Sequence, residues 1–148
     1  MRRGGAGFVA VAAAAMAAVS IPLAVRQRHQ PPVEIRVASF LAGRHAALAV
    51  IDQPDLPFFL EGVDIAWAVT TADEVPRWAE TWTRAGREVF TTAPPPLDAS
   101  GWIPVRHFCR DPLIHPYLSP DLWLFAPVSS ALARAGPEIE CDADGDGR

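Results

Sequence analysis

Ala46-Ala47-Leu48-Ala49-Val50-Ile51, closed by Asp52, is the stretch whose reading decides the fold. Six consecutive apolar residues bounded by a turn signal describe a strand covered on both faces, as in a parallel sheet flanked by helices. Asp52 starts the turn into Pro54. It also stands beyond the carboxyl end of a strand, where open α/β sheets take ligands. The following loop lacks the glycines that would make a phosphate site there, which favours the turn.

Outward from this strand, residues 55–61 hold Leu56, Phe58, Phe59 and Leu60, enough for one short helical turn on the sheet, and Gly62 ends it. Residues 63–69 form a second apolar run. Residues 74–85 are the clearest helix, with Val75, Trp78, Ala79 and Trp82 at i, i+3, i+4 and i+7 and with Glu74, Arg77, Glu80 and Arg84 opposite. Asp73 as N-cap puts Pro76 at the third helical position, where its missing N–H costs nothing. A capping box from Thr71 to Glu74 would bury Pro76 a turn deeper. Gly86 stops the helix, and residues 88–92 give a third strand. Strand, helix, strand, helix, strand marks an α/β unit.

The second half is less regular. Residues 93–101 form a loop with three consecutive prolines, and residues 102–110 read as a strand carrying Ile103, Val105 and Phe108. Pro112, Pro116 and Pro120 make residues 111–120 a structured loop. Residues 122–128 are a last strand, and residues 129–135 a helical turn before Gly136-Pro137. Upstream, residues 33–43 read as a helix through Val37, Phe40 and Leu41 with Gly43 as its stop, although residues 33–37 also alternate as a strand would. The expected fold is α/β, a small three-layer, mostly parallel sheet of about five strands after one N-terminal membrane helix.

That helix is read from GGAGFVAVAAAAMAAVSIPLAV, residues 4–25, flanked by Arg2, Arg3, Arg26 and Arg28. Residues 8–25 are 18 uncharged positions, close to the ~20 that cross a bilayer core. Eight of them are Ala and Pro22 interrupts the end, so the span is marginal and suits a bundle in which small residues let helices approach. The same run can serve as a signal peptide with Ala18-Val19-Ser20 as its cleavage site. The residues leave both readings open. The layout is then 1–28 membrane helix or signal-anchor, 29–32 linker, 33–137 soluble domain, and 138–148 an acidic disordered tail or truncated calcium loop.

The chain has 148 residues, and all 13 of its basic residues are Arg, with neither Lys nor Asn anywhere. A Schiff-base lysine, a phosphate loop ending in Gly-Lys and an Asn-linked glycan are thereby excluded. The net charge of −4 sits in residues 138–148, and no basic face points to nucleic acid. Cys109 and Cys141 could pair in an oxidising compartment but are read as one core thiol and one tail thiol.

Four residues, His107, Cys109, Asp111 and His115, are all of metal-ligating types, yet their spacing matches no common zinc module. Cys109 beside Phe108 reads more simply as a core residue. Gly-x-Ser-x-Gly does not occur, and Trp78 and Trp82 fall on the core stripe of their helix rather than on a sugar platform. In the tail, Asp142, Asp144, Asp146 and Gly147 occupy positions 1, 3, 5 and 6 of a calcium loop that lacks its second half, so Ca²⁺ would be held weakly. No catalytic residue is assigned.

The helix bearing Trp78 and Trp82, the phrase Gly86-Arg87-Glu88-Val89-Phe90-Thr91-Thr92, and Gly101-Trp102-Ile103-Pro104-Val105 after a loop together resemble the soluble tail of polytopic bacterial glycosyltransferases that use lipid-linked sugars, the protein-mannosyltransferase-like group. The resemblance covers about residues 5–128. It implies a last membrane helix carrying an extracytoplasmic domain, with the bilayer and other membrane helices as partners. The acids that catalyse in that family lie between early membrane helices and have no counterpart here, so the resemblance implies an accessory domain not catalytic by itself. The alternative is a secreted or periplasmic α/β binding module with a cleaved signal peptide.

Overall fold

The computed structural model of the chain describes residues 14–18, 20–21, 31–93, 101–109 and 121–140. The chain divides into two units, Met1–Pro32 and Val33–Arg148. In the first, residues 14–18, 20 and 21 are helical. Among the described residues no helix is long and apolar enough to cross a membrane, and most of the expected span lies outside them.

The second unit is built on the opening stretch. Residues Ala46–Val50 form β1, and all five are buried, as a strand with neighbours on both edges and cover on both faces must be. β1 runs parallel to β2 (Ala66–Val69) on one edge and to β3 (Glu88–Thr91) on the other. Two helices precede and follow β1, namely α1 (Val33–Leu41) and α2 (Leu56–Leu60); α3 (Val75–Arg84) links β2 to β3. β4 (Trp102–Cys109) and β5 (Asp121–Pro127) form an antiparallel pair, and β5 also runs antiparallel to β3. A short α4 (Ala131–Ala135) leads to β6 (Glu138–Ile139), which lies parallel to β4. The sheet order is β2-β1-β3-β5-β4-β6. The α/β class is as expected, with six strands in a mixed sheet.

Alternation along β1 divides the core. Ala46, Leu48 and Val50 face one way and pack with Val33, Val37 and Leu41 of α1, Leu56 and Leu60 of α2, and Phe90, Phe108, Leu122 and Leu124. Ala47, Ala49 and Ile51 face the other way, against Val75 and Trp82 of α3. The sheet is therefore covered on both faces, and the alanines of β1 are small enough to admit a helix on each side.

The helix ends show which local signals prevailed. Gly86 turns left-handed at φ 71°, and the Arg87 N–H donates to Trp82 O, closing α3 as expected. At the other end the N-cap is Glu74 rather than Asp73, and no side chain caps it. Glu74 instead accepts from the Thr70 hydroxyl at 2.7 Å, while Asp73 is held by Thr71. Pro76 therefore lies within the first two helical positions, where its lack of an N–H is tolerated as well as at the third. α4 is capped by Ser130, whose Oγ accepts from the Ala133 N–H at 3.0 Å. Residues 138 and 139, which sequence alone assigns to the tail, pair with Arg106 and His107 as β6.

Candidate functional site

A 2-1-3 order of parallel strands with helices on opposite faces creates a crevice where the connections diverge, between the carboxyl ends of β1 and β3. At that position one side chain ties the two strand ends together. The buried Thr92 hydroxyl accepts from the Ile51 N–H and donates to Ile51 O, both at 2.8 Å, and the Thr92 N–H donates to Ala49 O at 3.1 Å. One strand away lies a shallow cleft of about 460 Å³ between Asp52, Gln53, Pro54, Val69 and Thr70. Asp52 is exposed and left-handed at φ 53°, a conformation that short polar residues adopt at turns. The turn reading of Asp52 accounts for this geometry.

Among the described residues, a grouping of metal-ligating side chains stands at the far end of the β4–β5 pair. Ile103, Val105 and Phe108 cannot share one face of a regular strand, because 103 and 105 are odd and 108 is even. A register shift between Pro104 and Arg106 resolves this, letting Val105 and Phe108 both enter the core. Its consequence is that His107 and Cys109 move to the opposite face. The register sets His107 against Trp123 and Cys109 against Asp121. Asp121 is thus the diagonal neighbour of His107, within reach of long side chains.

His107 is 7% exposed and stacks on Trp123 with ring centroids 3.9 Å apart and planes 12° from parallel. Its Nε2 lies 3.2 Å from Asp121 Oδ1. One ligating atom from each of His107, Cys109 and Asp121 falls within 4.8 Å of the other two. The described structure therefore contains a His/Cys/Asp cluster of metal-ligating character. Asp111 and His115, grouped with His107 and Cys109 from sequence, lie outside the described residues, as do Asp142, Asp144 and Asp146 of the half calcium loop. Sequence spacing missed Asp121 because the cross-strand register, not proximity in the chain, supplies it.

Cys109 is disulfide-bonded, which corrects its reading as a core thiol. Among the described residues no cysteine is free, and the sequence's other cysteine, Cys141, lies outside them. The opposite face of β4 carries a charged clasp. Arg36 of α1 pairs with Glu140 and donates to Cys109 O, and Arg106 pairs with Glu138 and, at 2.8 Å, with Glu140. Burial works against the Arg106 charge, but hydrogen bonds and attraction from Glu138 and Glu140 outweigh it and raise its pKa. Arg106 also lies over the Phe40 and Phe108 rings, each 5.4 Å from its guanidinium carbon. The clasp thus joins α1, β4 and the end of β6.

No protein-family model matches the chain, and comparison with characterised proteins and with solved structures gives no match either.

Proposed function

We propose that the chain is a membrane-tethered, extracytoplasmic accessory domain of a glycosyltransferase-like membrane protein, not catalytic by itself. The observation that supports the extracytoplasmic part of this reading, shared with its rival below, is the disulfide at Cys109, since such bonds persist in oxidising compartments and are rare in the cytosol. The apolar run of residues 4–25 supports a tether, and the phrases around Trp78, Gly86 and Trp102 support the glycosyltransferase-like association. The chain's partners are the bilayer and the membrane helices of the same or a neighbouring protein. Ca²⁺ at Asp142, Asp144 and Asp146 is supported by spacing alone and forms no part of the proposal.

A secreted or periplasmic binding module is the second reading, favoured by Ala18-Val19-Ser20 as a cleavage site. Fractionation of expressing bacteria, with the mass of the mature N-terminus, decides between them. An intact chain released from membranes only by detergent, and digested by protease added outside spheroplasts, is expected. A soluble chain beginning near Ile21 would favour the secreted module, and protection from external protease would overturn both.

A further inference from the structure

We propose that the chain carries a redox-gated site for a zinc-class divalent cation, formed by His107, Cys109 and Asp121 and open only when the Cys109 disulfide is reduced. The site goes beyond the accessory reading and does not depend on it. Three observations carry it: the convergence of the three ligating atoms within 4.8 Å, the facing of His107 Nε2 and Asp121 Oδ1 at 3.2 Å, and the sequestration of Cys109 in a disulfide.

The donor set is mixed, with one imidazole nitrogen, one sulfur and one carboxylate oxygen. Such sets suit Zn²⁺ and its cobalt surrogate, whereas Ca²⁺ and Mg²⁺ require shells of oxygen. Bonds of roughly 2.0–2.3 Å at tetrahedral angles place ligand atoms roughly 3.3–3.6 Å apart. The His107–Asp121 separation already matches such an edge. No separation in the cluster exceeds 4.8 Å, so side-chain rotation at a strand end has little distance to close. The stacking of His107 on Trp123 and the hydrogen bond from Arg36 to Cys109 O fix two of the ligands from behind. Asp121 has a side chain 47% exposed and gives the ion its way in. The described residues supply three of the four ligands that a tetrahedral site takes.

A neutral disulfide sulfur is a poor ligand, and metal binding takes the thiolate. Opening the site requires a thiol reductant of the dithiol class, which delivers two electrons and two protons to the S–S bond, yielding two thiols while itself closing to a disulfide. The Cys109 thiol then loses its proton to solvent as the metal–sulfur bond forms, with no change in the metal's oxidation state. Because the cation binds the reduced chain and not the oxidised one, it pulls the equilibrium towards the dithiol by mass action.

The test is Co²⁺ titration of the full chain in detergent, before and after treatment with a non-chelating phosphine reductant, with circular dichroism reporting the fold. The reduced chain is expected to develop a thiolate-to-cobalt charge-transfer band that Zn²⁺ abolishes, and the oxidised chain to show none. Cys141→Ser, which removes the only other sequence cysteine, is expected to give the band without reductant. Cys109→Ser is expected to abolish it, and His107→Ala and Asp121→Asn are each expected to weaken Co²⁺ binding at least about tenfold. Absence of the band from folded, reduced wild-type chain would overturn the proposal. So would an undiminished band in the His107→Ala, Asp121→Asn double variant, or loss of the band from reduced, folded Cys141→Ser.

Discussion

Thr92 shows how much one residue can settle. Its hydroxyl satisfies both the N–H and the carbonyl of Ile51, whose backbone has just left β1, and so ties the ends of two parallel strands together. Thr92→Val keeps the shape and removes both bonds, leaving buried backbone groups unsatisfied. Urea denaturation is expected to show a loss of about 1–3 kcal/mol, largely restored in Thr92→Ser. Asp73 offers a smaller, pH-dependent case. Its pKa is lowered chiefly by the hydrogen bond with the Thr71 side chain and further by its own backbone, against slight desolvation. A group whose folded pKa is depressed contributes stability above its unfolded pKa and loses it as pH falls through the folded value. Thr71→Val is therefore expected to move the Asp73 titration midpoint upward, as read by carboxyl NMR, and to narrow the acid range of stability. The role of Asp52 as a turn residue was legible in sequence. That of Thr92 was not, because its partner lies 41 residues away in the chain.

At the scale of elements, legibility followed periodicity for helices and bounded apolar runs for strands. The Val75-Trp78-Ala79-Trp82 stripe announced α3 by its helical period, and the runs at 46–51 and 88–92 announced β1 and β3 by their short length between turn signals. β6 escaped because two residues, Glu138 and Ile139, have no period, and their strand exists through pairing with Arg106 and His107. The irregularity in β4 was written in the sequence as the change from odd to even between Val105 and Phe108. Its effect on His107 and Cys109 requires the register, which no local pattern states. Phe108 is the residue that the shift delivers to the core at 1% exposure, edge-on to Phe40 of α1. Phe108→Ala is expected to cost about 3–5 kcal/mol in equilibrium unfolding. It also undermines the placement of the neighbouring His107, so a folded Phe108→Ala chain is expected to show weaker Co²⁺ binding when reduced.

On the scale of the whole molecule, a parallel half and an antiparallel half share one sheet and two faces of core. The disulfide at Cys109 stands at the end of β4, in the antiparallel half, where α1 is also clasped through Arg36. Two cysteines in a sequence do not state whether they meet oxidised or reduced, so the bond was not legible; only the two residue types were. Reduction is expected to destabilise the domain by about 2–4 kcal/mol, seen as a lower urea midpoint with phosphine present than without.

The proposed extracytoplasmic compartment rests on that same bond, and thiol alkylation of the full chain in freshly lysed bacteria tests it most directly. With acid quenching before lysis, the expected result is a chain in the membrane fraction that takes up maleimide at Cys109 only after reduction. A chain alkylated at Cys109 without reductant would contradict the proposed placement outside the cytoplasm.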